Sequence, residues 1–568
     1  MQLYSATFLF LVCTLSPSSF AHEHKRQTCR NVPGSAGYPN AAAWSALNAT
    51  IGGRLVNVVP SAKYCASLPG GACTDAQWTS ALFRSTIPGA MNQARGYDLT
   101  PPSLCLRNAT TCGQGDVPIY SVEAQTVADI QVAVKFASAN NLRVSLKASG
   151  HDYLGRSTAP KSLLIHTGNF QNLSLTKAFM VGTQNMGSAA TVGSGLHTQV
   201  LYQKLKVNGK IAVGGTAATV CAAGGYLQGA GHSAVSPIFG LAADNVLEFH
   251  IVVASGQLLQ VNSISNPDLF YALRGGGAGS WGVIVSATFR TFPTFNVTHS
   301  TIQLAASSNA AAGALAAVHA QHIFDLDSVK GGQYFYLDKI SSTSTTSVLT
   351  LTTYMANTTT AHGTALLAPF LNAALALPGV SLVEQEYLNV NINDVLFQSD
   401  DSVGINVVLG SRLIPAASYR DAPATVGTVY EQLLDAGTTD ILGHLVAGGQ
   451  VAANANISSA VHPAWRTAKT HLIAVNGWTD ATSLADIKTL RTKFQTTQLP
   501  IMEKMSGPDA GAYSNEADVL EPNFQTTFFG PNYTKLSAIK KTYDPADLFI
   551  VPGGVGSERW DQWGLCTV

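Results

Sequence analysis

The segment KASGHDYLGRSTAP, residues 147–160, places a histidine between two turns rich in small residues. His151 follows Ala148-Ser149-Gly150 and precedes a second turn at 155–157. Small side chains let the backbone come close to a bulky anionic ligand and point N–H groups at it. We therefore expect the imidazole to stand at the edge of a ligand. The alternative is a surface histidine or a hydrogen-bonded structural one.

The sequence around this segment predicts a β-α-β unit. Strand-like runs at 142–146 and 163–165 flank the His151 turns, and another strand is expected at 118–122. Residues 124–139 carry apolar side chains at helical spacing, which indicates an amphipathic helix. His151 would then follow the C-terminal end of a strand, where α/β sheets bind their ligands.

Two glycine-rich regions further along also suggest a large ligand. Residues 214–240 are dense in glycine and alanine, but interleaved apolar residues such as Tyr226 and Val235 need burial, unlike a flexible spacer. We interpret this region as backbone wrapped closely on a cofactor. A helix from Asn266 is predicted to stop at Gly275–Gly277 before a strand at 283–289. Because these glycines follow a helix, the dinucleotide fingerprint of a Rossmann fold does not apply.

A chain of 568 residues is too long for one ordinary core, so two compact units are expected. From about residue 298 to 498 the composition changes to alternating and alanine-rich segments, with strands predicted at 333–337 and 347–354. This pattern suits an antiparallel sheet carrying helices on one face. The segment after residue 500 is too short to stand alone and is expected to return to the first unit.

The N-terminus indicates export. An apolar run at 8–15, followed by small residues ending at Ala21, has the pattern of a signal peptide, residues 1–21. No later stretch has 18 uninterrupted apolar residues, so we expect no membrane span. Export agrees with seven Asn-x-Ser/Thr glycosylation sequons: Asn48, Asn108, Asn172, Asn296, Asn357, Asn456 and Asn532.

The cysteines of a secreted chain are expected to form disulfides. Cys65 with Cys73, and Cys105 with Cys112, are close in sequence and lie in loop-like stretches, which favours two local bridges. Cys29 and Cys566 could join the two ends, although the sequence does not determine connectivity. Cys221 remains, and we expect it to be a buried free thiol.

Charge excludes one class of partner. The formal net charge is zero and only 12% of the residues are charged. Without a basic run or an aromatic-interleaved basic patch, a nucleic-acid partner is disfavoured. We expect a small-molecule substrate and a monomer, and we assign no metal ligand from the sequence.

Four blocks of sequence carry a family resemblance: residues 149–157, 224–246, 268–284 and 513–549. Their order and spacing resemble vanillyl-alcohol-oxidase-type flavoproteins, and within them the berberine-bridge-enzyme-like secreted fungal FAD oxidases. The resemblance implies an α+β fold: a two-part PCMH-type FAD-binding domain with an inserted α+β substrate domain on an antiparallel sheet. The implied boundaries are a disulfide-containing extension at 22–115, the FAD domain at 116–297, the substrate domain at 298–499 and a C-terminal segment at 500–568 that completes the FAD domain.

The resemblance also implies how the cofactor is held. His151 occupies the place of the family histidine whose imidazole is bonded to the 8α-methyl of FAD. Many members add a second link from a cysteine, but the matching position here is Ala217 or Ala218, so we expect a single link, with a second bond through Cys221 as the alternative. The cofactor-binding residues implied are His151, Ser149, Gly150, Asp152, Gly155, Ser157, Gly214, Gly215, Thr219, Val220, Gly225, Gly229, His232, Gly282, Val283, Ile284, Tyr513, Asn515 and Asn532.

Catalytic roles are implied at four positions. Related carbohydrate oxidases have a Tyr-x-Asn-Tyr motif whose second tyrosine takes a hydroxyl proton, and this chain reads Tyr513-Ser514-Asn515-Glu516. We expect desolvation to raise the pKa of Glu516 toward the range of a general base. The alternative is a solvated glutamate or one paired with Lys540 or Lys541. Tyr153 resembles a substrate-side tyrosine, Tyr513 opens the motif, and Asp394 is aligned as a support for the base.

These features predict a secreted oxidase that takes hydride from an alcohol, a sugar hydroxyl or a C–H beside an amine, and passes electrons to O₂. The alternatives are a dehydrogenase with another acceptor, and a flavin-retaining cyclase of secondary metabolism without net redox. The sequence does not identify the substrate. The aromatic residues of the substrate domain are expected to be core more often than sugar platform: Tyr334, Tyr336, Tyr354, Tyr387, Trp465 and Trp478.

Overall fold

A computed structural model describes residues 28–92, 105–107, 112–397, 403–508 and 510–568. The predicted signal peptide and the sequon at Asn108 lie outside these residues. Three sheets organise the described chain, and each is built from a different part of the sequence.

The first sheet contains the predicted β-α-β unit. Strands Tyr120–Glu123 and Val144–Lys147 both pair in parallel with Leu163–His166, and Leu55–Asn57 adds an antiparallel edge. Helix Val127–Ala139 crosses between the first two parallel strands and buries Ile130, Ala133, Val134 and Ala137. Thr126 and Asp129 form a capping box at its start, which satisfies backbone N–H groups of the first turn. The expected unit is confirmed, and the chain reaches His151 directly after a parallel strand.

The second sheet is antiparallel and carries the glycine-rich regions on its connections. Its strand order is Leu258–Asn262, Val246–Val252, Val283–Arg290, Ala189–Gly193 and Leu173–Thr176. The intervening helices are Thr198–Lys206, Gly225–Gln228, Ser236–Phe239, Ala242–Asn245 and Pro267–Leu273. Two short ribbons accompany it, Lys210–Ile211 with Phe292–Pro293 and Met180–Val181 with Gln184–Asn185. The helix predicted from Asn266 ends at Leu273, just before the triple glycine as expected.

The third sheet has seven antiparallel strands, which bears out the antiparallel sheet expected for the middle of the chain. Their order is Val380–Asn391, Asn296–Ala306, Ser347–Ala356, Gly332–Lys339, Asp440–Leu445, Ala468–Trp478 and Asn406–Pro415. One face is covered by helices Asn309–His322, Thr360–Leu375, Pro423–Asp435 and Leu499–Ser506, which share a buried apolar cluster with it. The other face turns toward the glycine-rich regions. The other α-helices of this region are Ile392–Val395, Ala416–Asp421, Gly449–Ala453 and Leu484–Lys493.

The two ends of the chain come together. The two expected local disulfides, Cys65 with Cys73 and Cys105 with Cys112, are confirmed, and Cys29 and Cys566 form the bridge that the sequence left open. Cys221 is a buried free thiol, as expected. The N-terminal helices are Ala41–Thr50, Ser61–Ala66, Asp75–Trp78 and Ala81–Ser85, and the C-terminal one is Tyr533–Tyr543.

The C-terminal segment packs on the first two sheets, as predicted for a segment too short to fold alone. The Lys540 ammonium is completely buried and donates to the Ser280 carbonyl and to the Asp544 carboxylate. None of the helices in the described part of the chain is long and apolar enough to cross a bilayer.

Candidate active site

A buried lysine fixes the backbone that leads into the His151 turn. Lys147 ends its strand and donates hydrogen bonds from Nζ to the carbonyls of Ile87 and Ala90, at 2.6 and 2.7 Å. Gly150 then adopts φ +92°, in the left-handed region that favours glycine, and a Cβ there would meet the Lys147 side chain at 3.0 Å. The small-residue turn is therefore required by both conformation and packing.

Asp152 fixes the second half of the turn. Its carboxylate accepts hydrogen bonds from the backbone N–H groups of Leu154, Arg156 and Ser157, and from Nε of Arg156. The Arg156 guanidinium also donates to Asn515 Oδ1 at 2.8 Å. Sequence reasoning missed Arg156, although an Asp and an Arg four residues apart are a signal for an ion pair. The contact joins the His151 turn to the C-terminal segment.

A cleft opens between this turn and the glycine-rich regions. Of the residues predicted to bind the cofactor, those lining the cleft are Ser149, Gly150, Asp152, Ser157, Val220, Gly225, Gly282, Val283 and Ile284. Two further polar atoms line it while buried and without a protein partner, Ser194 Oγ and Gln228 Oε1. Buried polar groups normally have hydrogen-bond partners. The cleft therefore suits a ligand rich in acceptors and hydroxyls, as the phosphates and ribose of FAD are.

A cavity of about 490 Å³ continues from the cleft, and the two share Val220 and Tyr226 as lining residues. His151 lines the cavity, and its Nε2 lies 2.6 Å from Thr219 Oγ1. Burial and the neighbouring His197 lower the pKa of His151 to about 3, so the imidazole is neutral. Because Thr219 engages Nε2, Nδ1 is the ring nitrogen left for another partner.

The opposite wall of the cavity comes from the uncovered face of the seven-stranded sheet. Side chains alternate between the two faces of a strand, so Phe335 and Leu337 enter the helix-covered core while Tyr334, Tyr336 and Asp338 face the cavity. The same alternation directs the following residues to the cavity: Asp440, Leu442, His444, Ile473, Val475, Val407 and Leu409. The wall combines aliphatic, aromatic and acidic groups.

Three histidines surround the Glu516 carboxylate. Its Oε2 lies 3.2 Å from His232 Nε2, 3.3 Å from His471 Nδ1 and 3.9 Å from His444 Nδ1. Burial by itself raises the pKa of Glu516, but His232, His471 and His444 outweigh it and lower this pKa to about 2. The expectation that desolvation brings Glu516 into the range of a general base is therefore wrong, and so is the alternative of pairing with Lys540 or Lys541. Lys540 is instead paired with Asp544.

Tyrosines complete the cavity. Tyr153 and Tyr513 line it, and the Tyr513 hydroxyl accepts a hydrogen bond from Asn515 Nδ2 at 2.8 Å. Burial raises the pKa of Tyr513 above its usual value, which keeps it a neutral phenol. Among the aromatic residues of the middle region, Tyr334 and Tyr336 face the cavity. The other four, Tyr354, Tyr387, Trp465 and Trp478, pack in or against the apolar cores, as expected for most of them.

Several predicted site residues lie elsewhere. Asp394 forms a half-exposed ion pair with Lys206 and lines neither cavity nor cleft, so it does not support Glu516. Asn532 accepts a hydrogen bond from Tyr271 and donates to the carbonyls of Ala460 and Val461, which places it outside the cleft. Both predictions rested on alignment of position, which does not show where a side chain points.

Other predicted positions support the site without lining the cleft. Gly155 takes φ +71° in the turn that Asp152 organises. A Cβ on Gly214 would meet the Tyr202 hydroxyl at 2.4 Å, and one on Gly229 would meet the Asn515 amide at 2.5 Å. His232, Gly215 and Asn515 line the cavity, and Thr219 contacts His151. Sequence reasoning missed His444 and His471, because only the pairing of two distant strands brings them opposite each other.

Comparison with known proteins adds independent findings. Residues 118–262 match the FAD binding domain family, and residues 512–556 match the family described as berberine and berberine like. An uncharacterized FAD-linked oxidoreductase of Arthroderma benhamiae is 36% identical over 566 residues, which cover 95% of each chain. The VAO-type flavoprotein oxidase VAO615 of Thermothelomyces thermophilus is 32% identical, over 98% of this chain and 97% of that one. The crystal structure of the VAO-type flavoprotein MtVAO615 from Myceliophthora thermophila C1 superposes with a TM-score of 0.83 at 29% identity, over 95% of this chain and 100% of that one.

Proposed function

Because the chain belongs to the VAO-type, berberine-bridge-like FAD-linked oxidoreductases, and is thus an FAD-dependent enzyme, we propose that it is an oxidase with FAD bonded to His151. The observation that carries the proposal is the position of His151, which lines the cavity while its chain neighbours Gly150 and Asp152 line the cleft. FAD extended along the cleft would bring its ring system to the imidazole and to the cavity together.

The geometry of His151 supports a single covalent link. Its imidazole is neutral, and in the tautomer whose Nε2–H donates to Thr219 Oγ1 the lone pair on Nδ1 is available for the 8α-methyl of the flavin. Of the two positions that could match the family's second-link cysteine, Ala217 lines the cavity and Ala218 is buried in the core, and neither has a sulfur. Cys221 lines the cleft, where the phosphate-bearing half of FAD would lie, and burial raises the pKa of its thiol to about 12. We therefore assign no flavin bond to Cys221.

FAD bound here would accept hydride from a substrate carbon and be reoxidised by O₂ with release of H₂O₂. The chain's own residues would hold the substrate between the flavin edge and the wall of the seven-stranded sheet. Glu516, with the imidazoles of His232 and His444, faces the cavity and would contact the substrate group that carries the exchangeable proton. Tyr153 and Tyr513 would orient that group, and the aliphatic side chains of the wall would exclude water.

The substrate proposed is an alcohol, a sugar hydroxyl or a C–H beside an amine. The aliphatic and aromatic lining around one polar cluster suits a partly apolar molecule with a single reacting group. We also propose that the enzyme is a secreted monomer. Its disulfides agree with an oxidising compartment. Its domains are proposed at 22–115, 116–297, 298–499 and 500–568.

Anaerobic mixing with candidate substrates tests the function. We expect a substrate to bleach the oxidised flavin band, and air to restore that band with one H₂O₂ formed per product. Bleaching that air reverses only slowly would identify a dehydrogenase, and product formation without bleaching would identify a non-redox cyclase. Either result would contradict the oxidase assignment while leaving the FAD site intact.

A further inference from the structure

Four potential metal ligands converge at one side of the cavity. His444 and His471 lie on neighbouring antiparallel strands and are directly opposite each other in the register. His232 comes from the glycine-rich region and Glu516 from the C-terminal segment. Their ligand atoms all lie within 4.8 Å of one another, and the three histidines are buried. Three separate parts of the fold thus hold the cluster in place.

Three separations between the ligand atoms match those of a metal coordination shell. His444 Nδ1 lies 3.3 Å from His471 Nδ1, and Glu516 Oε2 lies 3.2 and 3.3 Å from His232 Nε2 and His471 Nδ1. Ligands at about 2.0–2.1 Å from a tetrahedral Zn²⁺ are themselves about 3.3 Å apart. The fourth separation, 3.9 Å from Glu516 to His444 Nδ1, needs only a small side-chain adjustment. The separations of His232 from the other two imidazoles extend to within 4.8 Å, so His232 must also move inward for a single ion to contact all four groups.

Hydrogen bonding alone accounts for the cluster less well. A neutral imidazole nitrogen is either a donor or an acceptor. If His471 Nδ1 donates to Glu516 Oε2, it has no lone pair to accept a hydrogen bond from His444 Nδ1, so one proton must serve two acceptors that each lie 3.3 Å away. Three imidazole nitrogens also crowd a single carboxylate oxygen, Oε2. A cation in their midst removes this conflict, because each nitrogen then turns a lone pair toward it.

Charge and chemistry define the class of ion. Imidazoles that bind a metal through a lone pair add no charge to the site, so the ligand set of three histidines and one carboxylate carries a single negative charge. Within the part of the chain that the structure describes, the ion pairs of Glu516 are with histidines and none is with a lysine or arginine. Imidazole-rich sites with a carboxylate suit Zn²⁺ and other first-row divalent ions, whereas Mg²⁺ and Ca²⁺ prefer oxygen-only sites.

We propose that His232, His444, His471 and Glu516 bind one first-row divalent metal ion, with Zn²⁺ as the simplest occupant. His232, His444 and Glu516 line the cavity, so an ion held there is within reach of a bound substrate. The role of the ion rests on the proposed function: it would coordinate the hydroxyl oxygen or amine nitrogen of the substrate. Coordination would withdraw electrons from that atom and favour loss of its proton. The substrate class is thereby narrowed to molecules with a metal-binding atom on, or next to, the oxidised carbon.

The ring nitrogens that are not metal ligands affect how tightly the site binds its ion. His232 Nδ1 and His471 Nε2 are buried without a protein acceptor. Metal-bound histidines usually donate their other N–H to an acceptor, and loss of such a partner weakens metal binding about 10–100-fold. We therefore expect an ion that a chelator removes without unfolding the protein, and that returns on titration.

Elemental analysis and calorimetry test this inference on the intact flavoprotein. Chelator-treated enzyme is titrated with ZnCl₂, and the expected result is one Zn²⁺ per chain with the flavin spectrum retained. Co²⁺ in its place should give the intense visible bands of a four-coordinate site, at wavelengths beyond the flavin absorption. A wild-type protein that takes up no Zn²⁺ or Co²⁺ would overturn the inference without reference to any variant.

Variants locate the ion. H444Q and E516Q are each expected to weaken Zn²⁺ binding by at least about 100-fold. The control is H319Q, because His319 is equally buried but bonds Gln333 on the helix-covered face of the sheet. Unchanged affinity in both cluster variants would place the metal elsewhere and overturn the assignment. If the protein binds zinc but no candidate substrate reduces the flavin, the oxidase proposal is contradicted and the metal site is not. Full turnover by metal-free enzyme would overturn the role of the ion in substrate binding and leave the oxidase intact.

Discussion

Arg156 Nη2 donates to Asn515 Oδ1 at 2.8 Å, although 359 residues separate the two in the chain. The same guanidinium is ion-paired with Asp152, and both charged side chains are more than nine-tenths buried. Asn515 in turn donates to the Tyr513 hydroxyl. One arginine therefore connects the turn that carries His151 to the segment that carries the cavity tyrosine and Glu516.

Removing this arginine should destabilise the protein strongly. R156A leaves the Asp152 carboxylate buried without its partner, and breaking a buried ion pair costs about 3–5 kcal/mol. The control is K206A, which breaks the half-exposed pair with Asp394 and should cost less than about 1 kcal/mol. Chemical unfolding followed by tryptophan fluorescence measures both. Equal midpoints for the two variants would contradict the bridging role of Arg156.

Asp338 and Asp440, which lie together in the cavity wall, should make the stability of the protein depend on pH. Burial and the adjacent Asp440 raise the pKa of Asp338 to about 7. The folded state thus keeps a proton that the unfolded chain loses near pH 4, so folding is penalised increasingly from about pH 4 to pH 7 and fully above it. D338N removes the penalty, which is about 1.4 kcal/mol for each of roughly three pKa units, and should be about 4 kcal/mol more stable than wild type above pH 7, with the difference vanishing near pH 4. Unfolding midpoints across this range test it, with E384Q on the exposed edge strand as the control for surface charge. A difference independent of pH would refute the raised pKa.

A cysteine at residue 217 should create a second flavin link beside the single one that we propose. Ala217 lines the cavity, whereas its neighbour Ala218 is buried in the protein core. We expect A217C to gain a second covalent bond to FAD and A218C to keep one. Mass analysis of the flavin-bearing peptides distinguishes one linked peptide from two. The predicted position of the flavin ring would be contradicted if A218C gained a second link. It would also be contradicted if neither variant gained one.

The free thiol should be chemically silent in the folded enzyme. Burial raises the pKa of Cys221 to about 12, and only the thiolate reacts rapidly with alkylating agents. At pH 8 we expect labelling of Cys221 by iodoacetamide to be about 10³-fold slower than that of an unhindered thiol. Peptide mapping before and after denaturation gives the two rates, and the denatured chain is the control. Rapid labelling of the native protein would mean that the thiol is accessible and activated.

Local sequence patterns predicted the parts of the fold that depend on neighbours in the chain. The alternation of apolar and polar residues predicted the strands that the structure has at Gly332–Lys339 and Ser347–Ala356. The small residues around His151 indicated its turn. The edge strand Val380–Asn391 was missed because its mostly exposed side chains leave no alternation of apolar residues.

The site itself depends on long-range pairing, which explains what the sequence could not reveal. His444 and His471 become neighbours only through the register of two strands, and Glu516 reaches them from a third segment. The pKa of Glu516 was misjudged for the same reason. Its burial could be anticipated from the resemblance, but the three imidazoles that lower its pKa could not.

The most direct test of the account is mass spectrometry of the tryptic peptide Ala148–Arg156, which contains His151. We predict that this peptide from the wild-type protein carries the mass of FAD, and that denatured wild-type protein stays yellow. H151A should lose the modification and release any remaining flavin on denaturation. An unmodified wild-type peptide, with all of the FAD released into solution, would contradict the covalent bond at the centre of the proposal.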